Sequence, residues 1–99
     1  MKLHELFDNN EISFEQQANI KKSIKDYIKK PENNVESTVW LVNQAFKVNG
    51  AEVPKTIDDS NYQLYTNILL DTAKQLQKST DNGIRDDSWK ITPDDSPYV

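Results

Sequence analysis

The sequence predicts an all-α fold, a small three-helix domain with a short N-terminal helical turn and an extended C-terminal arm. Two observations support this prediction. Apolar residues recur at helical spacing in two long segments, and each segment follows a serine with a glutamine three residues later, which is the spacing of a capping box. The 99 residues of the chain are the size of one domain.

The first long helix is predicted over residues 14–30. Ser13 and Gln16 have the capping-box spacing, and Pro31 ends the helix because proline disfavours helical backbone at the residue before it. The apolar face consists of Ile20, Ile24, Tyr27 and Ile28. Beside that face runs a lysine stripe, which consists of Lys21, Lys22, Lys25 and Lys29.

The segment 35–48 has two interpretations. Asn33 followed by Glu36 resembles an N-cap signal, and Gly50 is well placed for a left-handed residue after a helix. The pair Asn49-Gly50 is also the strongest short hairpin signal, which would give an α+β fold. We favour the helix, because an isolated two-stranded ribbon is marginally stable. Val39 and Trp40 are then expected in the core.

The third helix is predicted over residues 61–79, where Ser60 and Gln63 repeat the capping-box spacing and Asn82-Gly83 follows the end. Its apolar stripe consists of Tyr62, Tyr65, Ile68, Leu69, Thr72, Ala73 and Leu76.

The chain divides into a helical domain, 1–83, and an extended acidic arm, 84–99. The alternation of polar and apolar residues over 88–92 is typical of an extended segment that docks by one face. We expect Trp89, Ile91 and Tyr98 to be its anchors, either on its own domain or on a partner.

The composition argues against several kinds of site. The chain has no cysteine and one histidine, His4, which excludes a disulfide, a zinc–cysteine site and a thiol nucleophile. Its two glycines are too few for a phosphate-binding loop. We therefore expect no enzymatic activity, no cofactor and no metal. No stretch reaches the roughly 18 apolar residues of a membrane span, and residues 1–10 lack the apolar run of a signal peptide. These features predict a cytoplasmic protein without membrane contact.

Charge is distributed unevenly along the chain. The net charge is −4, but residues 14–31 carry five lysines against Glu15 and Asp26, a local +3. The acids are concentrated in the second half, particularly in the pairs Asp86-Asp87 and Asp94-Asp95. This asymmetry suggests that the lysine stripe receives an acidic surface or the acidic arm.

The predicted function is a non-catalytic protein-interaction module, meaning a small regulator, an inhibitor or a structural subunit of a larger assembly. Its partner would be another protein or copies of itself, so a homo-oligomer is included. Two alternatives stay open: a nucleic-acid-associated protein that uses the lysine face of helix 14–30, and an acidic mimic of nucleic acid that blocks a nucleic-acid-binding protein. Nucleic acid ranks below protein, because no arginine accompanies the lysines and Tyr27 lies on the apolar face.

Overall fold

The structure is a computed structural model that describes residues 11–90, and over that range it contains three α-helices and no strand. They are α1 (Phe14–Ile28), α2 (Thr38–Val48) and α3 (Tyr62–Asp81), and each packs against the other two. The predicted all-α fold is therefore confirmed. The predicted N-terminal turn, residues 1–8, and residues 91–99 of the arm lie outside the described residues.

The start of α1 is the predicted one. The Ser13 hydroxyl accepts a hydrogen bond from the Gln16 N–H at 3.1 Å. The Gln16 side chain, however, does not complete a capping box, since its amide donates to the carbonyl of Asn49 at 3.1 Å. Half of the box caps α1, and the other half ties α1 to the end of α2. The helix ends at Ile28, two residues before the predicted end.

The Asn49-Gly50 pair ends a helix and does not turn a hairpin. Gly50 has φ +73°, and two backbone hydrogen bonds run back into α2: Ala51 N–H to the carbonyl of Phe46 at 2.9 Å, and Gly50 N–H to that of Lys47 at 3.1 Å. This pair of bonds is the Schellman motif, which satisfies carbonyls left over at a helix end. The hairpin alternative is therefore wrong, because these carbonyls bond within their own helix end.

Two predicted helix starts are wrong. The N-cap of α2 is Ser37, whose hydroxyl accepts from the Trp40 N–H at 3.1 Å, and Asn33 instead donates its side-chain amide to the carbonyl of Tyr27. For α3, the residue at the N-cap position is Asn61 and not Ser60. The side-chain oxygen of Asn61 accepts the buried N–H of Ile12 at 3.1 Å, which fastens the segment before α1 to the start of α3.

The core lies where the three helices meet. The members that are less than 2% exposed are Phe46, Ile20, Ile24, Leu76, Val42 and Thr72. Val39 was expected in this core but is 50% exposed, because it lies in the first turn of α2, at the edge of an open groove. Trp40 is partly buried and packs edge-on against Tyr27 at 6.0 Å between ring centroids.

Residues 84–90 fold back onto the helices. The Trp89 side chain is 8% exposed and its indole N–H donates to the Thr80 hydroxyl at 2.8 Å. Arg85 is also 8% exposed. The N–H of Lys90 donates to the carbonyl of Asp87 at 2.9 Å, so residues 87–90 form a turn and not the extended chain expected there. The first part of the arm therefore packs as part of the helical domain.

Within residues 11–90, none of the helices combines the length and the apolar character that crossing a membrane requires.

Candidate functional site

Three lysines from two helices surround one groove on the surface. Lys25 of α1 and Lys29, the C-cap residue of α1, lie on one side and Lys78 of α3 on the other, and the groove between them has a volume of about 320 Å³. We call this surface the basic seam. Its other lining residues are Ile28, Gln75, Ser79, Asn82 and Ile84. Among residues 11–90, no acidic residue lines it, although Asp26, next to Lys25 in the chain, lies close enough to interact with Lys25 and Lys29.

The helical repeat explains how these lysines come together. Ile24 and Ile28 are buried, and Lys25 and Lys29 each follow one of them by a single residue, which is about 100° around the helix. The two lysines therefore lie at the edge of the packed face of α1. On α3, Lys78 directly precedes the buried Ser79 and occupies the matching edge. The sequence supplies the edge positions, and the packing of α1 on α3 brings them to one groove.

An exposed apolar side chain lies at one end of the basic seam. Ile84 is 51% exposed, whereas the neighbouring Ile28 is 7% exposed and belongs to the core. Ile84 is placed there by the end of α3, where Gly83 has φ +74° and the Ile84 N–H donates to the carbonyl of Ser79 at 3.0 Å. The seam therefore combines positive charge with an apolar contact.

The other two lysines of the predicted stripe have acidic neighbours. Lys21 lies in an adjacent groove between α1 and α3 that is also lined by Asp71. Lys22 donates to the Asp26 carboxylate at 3.1 Å, and both side chains are exposed. The structure thus separates the stripe into two lysines that line the basic seam and two that do not.

The electrostatic effect of these lysines is seen at Asp26. The pKa of the Asp26 carboxyl lies below its ordinary value of 3.8, mainly because Lys22 donates a hydrogen bond to it. Desolvation opposes this and is the second-largest effect on the pKa, while the charges of Lys22, Lys29 and Lys25 each lower the pKa by a smaller amount. A carboxylate on this face of α1 is therefore favoured in its charged form.

The predicted anchor Trp89 lies away from the basic seam. It lines a separate open groove of about 850 Å³ between residues 34–39 and residues 88–90. The Lys90 ammonium lies 5.6 Å from the centre of the Trp89 ring, within range of a cation–π contact. With its indole packed on α3, Trp89 offers little free surface to a partner. Ile91 and Tyr98, the other two predicted anchors, lie outside the described residues.

Sequence reasoning did not find Lys78 and Ile84. The sequence marks Lys78 only as one charged position on α3, since its relation to Lys25 depends on which helices pack together. A signal for Ile84 was present, because an apolar residue directly after a helix-ending glycine often packs against the last turn.

No group of three residues suited to holding a metal ion occurs among residues 11–90. The chain matches no protein-family model, no curated protein sequence and no solved structure at a significant level.

Proposed function

We propose that this protein is a non-catalytic protein-interaction module, a small regulator, inhibitor or structural subunit, that binds an acidic surface of another protein through the basic seam. The observation that carries the proposal is that Lys25, Lys29 and Lys78 line one groove, and that no acidic residue within 11–90 lines it with them. Complementary charge across an interface speeds association and selects among partners. The half-exposed Ile84 adds an apolar contact, which charge attraction by itself does not provide.

Protein is favoured over nucleic acid as the partner. Sequence-independent nucleic-acid binding combines a basic groove with aromatic or arginine side chains on which bases stack. Within the part of the chain that the structure describes, the residues that line the basic seam include neither an aromatic residue nor an arginine. The protein is also acidic overall, with a net charge of −4, which opposes binding to a polyanion at long range.

A charge-reversal experiment with a matched control tests this proposal. The double variant Lys25→Glu/Lys78→Glu removes the basic seam, and Lys47→Glu/Lys55→Glu changes the net charge equally at exposed positions outside it. Proteins from the native source that bind the wild type are identified, purified and titrated against all three forms. We expect at least one purified acidic partner to bind the wild type and the control equally and the seam variant at least about tenfold more weakly.

Two results would contradict the proposal. If every purified partner binds all three forms equally, the basic seam is not part of the interface. In the second result, binding from the native source disappears after nuclease treatment, while a purified oligonucleotide binds with an affinity that falls steeply with salt. That result would show that the lysines bind nucleic acid.

Self-association is tested by light scattering on the whole chain and on a chain that ends after Lys90. The shorter chain keeps Arg85 and Trp89, which the domain buries. A whole chain that forms oligomers beside a folded, monomeric shorter chain would mean that residues 91–99 link copies of the protein. Monomers in both cases would leave a different protein as the partner.

A further inference from the structure

We propose that the segment bound by the basic seam is an extended acidic stretch with carboxylates at alternate residues and an apolar side chain at one end. This inference rests on the proposed function and specifies the partner.

The first support for the extended stretch is the spacing of the lysines. Lys25 and Lys29 are separated by four residues of helix, a rise of about 6 Å. Alternate residues of an extended chain are separated by roughly 6.6 Å and point to the same side. Carboxylates at alternate positions of an extended chain therefore have nearly the same spacing as Lys25 and Lys29.

Lys78 gives the seam a second positive side. It reaches the groove from α3, opposite Lys25 and Lys29 on α1. A segment that lies along the groove has lysines on both sides. Each inward carboxylate can therefore form an ion pair with a lysine of either side. Consecutive carboxylates in an extended segment point alternately into and out of the groove. Half of the charge in such a block would then be directed to solvent.

The lining of the seam disfavours a helical partner. Amphipathic helices bind in grooves through several apolar side chains spaced three and four residues apart. Carbon atoms form most of the surface of the groove, but the lining residues Gln75, Ser79 and Asn82 are polar and Ile28 is only 7% exposed. Ile84 is the one lining residue that offers a large exposed apolar side chain. One apolar contact suits an extended segment held mainly by charge.

The order of the contacts along the seam follows from the end of α1. Ile84 precedes Arg85, whose guanidinium donates to the carbonyl of Ile28, the residue before Lys29. Ile84 therefore lies at the Lys29 end of the groove. The apolar side chain of the partner must lie next to the carboxylate that pairs with Lys29, at the opposite end from the carboxylate that pairs with Lys25.

Three fluorescent peptides, each with the same number of glutamates and one leucine, test the inference. The first has glutamates at alternate positions and a leucine at one end, the second has the same glutamates in one block, and the third is a stapled helix with glutamates four residues apart. Fluorescence anisotropy measures the affinity of each peptide for the whole chain. We expect the alternating peptide to bind at least about fivefold more tightly than the other two.

Variants of the protein locate the bound peptide. Lys25→Gln and Lys78→Gln should each weaken the alternating peptide about two- to fivefold, the usual effect of one exposed ion pair, and Lys47→Gln should have no effect. Ile84→Ser should weaken the peptide with leucine and leave a peptide with serine in its place unchanged. The matched control is Val48→Ser, at an exposed apolar residue of α2 that does not line the seam.

The possible failures are distinguishable. If the block or the helical peptide binds as tightly as the alternating one and its binding depends on Lys25 and Lys78, the extended geometry is wrong. The proposal that the seam binds an acidic partner is then retained. If no peptide binds, or if binding is indifferent to those lysines, the proposed function fails as well. If a single-stranded oligonucleotide of equal charge binds more tightly through the same lysines, the seam recognises a nucleic-acid backbone.

Discussion

The guanidinium of Arg85 donates a hydrogen bond to the carbonyl oxygen of Ile28, 57 residues earlier in the chain, at 3.1 Å. The same group also donates to the carbonyls of Lys30 at 3.0 Å and Asn33 at 2.6 Å. The last carbonyls of a helix have no partner within it and carry its partial negative charge. A buried arginine fork therefore closes the end of α1, in a domain whose expected stability is only about 5–15 kcal/mol.

Arg85→Ala is expected to destabilise the domain by about 3 kcal/mol, because it removes three charge-assisted hydrogen bonds and leaves carbonyls without donors. Arg85→Lys should be intermediate, since one ammonium cannot reach three carbonyls in the fork geometry of arginine. Urea unfolding followed by circular dichroism measures both variants. A loss below about 0.5 kcal/mol for Arg85→Ala would show that the end of α1 does not depend on this side chain.

Gly50→Ala and Gly83→Ala should each cost about 1 kcal/mol. Both glycines have positive φ, +73° and +74°, and among residues 11–90 no atom beyond the adjacent residues lies within 4 Å of an added Cβ. The cost therefore comes from the left-handed backbone and not from a clash. Asparagine at the same positions should cost less, because it tolerates this conformation better than alanine. Thermal unfolding of the four variants checks the prediction, and alanine variants as stable as the wild type would contradict it.

A chain that ends after Gly83 should be far less stable than one that ends after Lys90. The shorter chain loses both Arg85 and Trp89, and removing a buried tryptophan costs roughly 3–5 kcal/mol by itself. The comparison is made by urea unfolding of the two truncated chains, with Trp89→Ala in the longer one as the reference. Equal stability of the two truncated chains would mean that residues 84–90 add nothing to the helical domain.

Lys22→Gln should raise the pKa of Asp26 towards its ordinary value of 3.8, because the hydrogen bond from Lys22 is the main cause of the lowered pKa. A lowered folded-state pKa means that the charged carboxylate stabilises the fold. That contribution is present above pH 3.8 and is lost as the pH falls through the lower folded-state value. An NMR titration of the Asp26 carboxyl carbon measures the shift, with Lys47→Gln as the control. An unchanged midpoint in Lys22→Gln would contradict the assignment.

The helices could be predicted from the sequence because an apolar stripe at helical spacing is a strong signal. The helix starts were less predictable, since several polar residues near each start have suitable chemistry. Asn33 donates its side-chain amide to Tyr27, and Asn61 takes the N-cap position predicted for Ser60, so only Ser13 has its predicted N-cap role. Local sequence also could not decide the Asn49-Gly50 pair, because positive φ at glycine suits a hairpin turn and a helix end equally.

The site was only half predictable for a related reason. Lys25 and Lys29 followed from their position beside the apolar face of one helix. Lys78, Ile84 and Arg85 acquire their roles through contacts with residues about fifty positions away. Nothing in the residues around Arg85 distinguishes a buried helix-closing arginine from an exposed one. An isolated tryptophan among charged residues is an unusual sequence feature, but the neighbours of Trp89 in the sequence do not indicate that it packs on α3.

The bond between Arg85 and Ile28 also has a consequence for how the chain is made. The N-terminus of a protein leaves the ribosome first, so all three helices leave the exit tunnel before Arg85 does. Until then the carbonyl of Ile28 lacks the hydrogen bond from Arg85, and the surface of α3 that Trp89 covers is open. The nascent domain therefore reaches its full stability only once residues 84–90 have emerged, and its final step is the closing of its first helix by one of its last described residues.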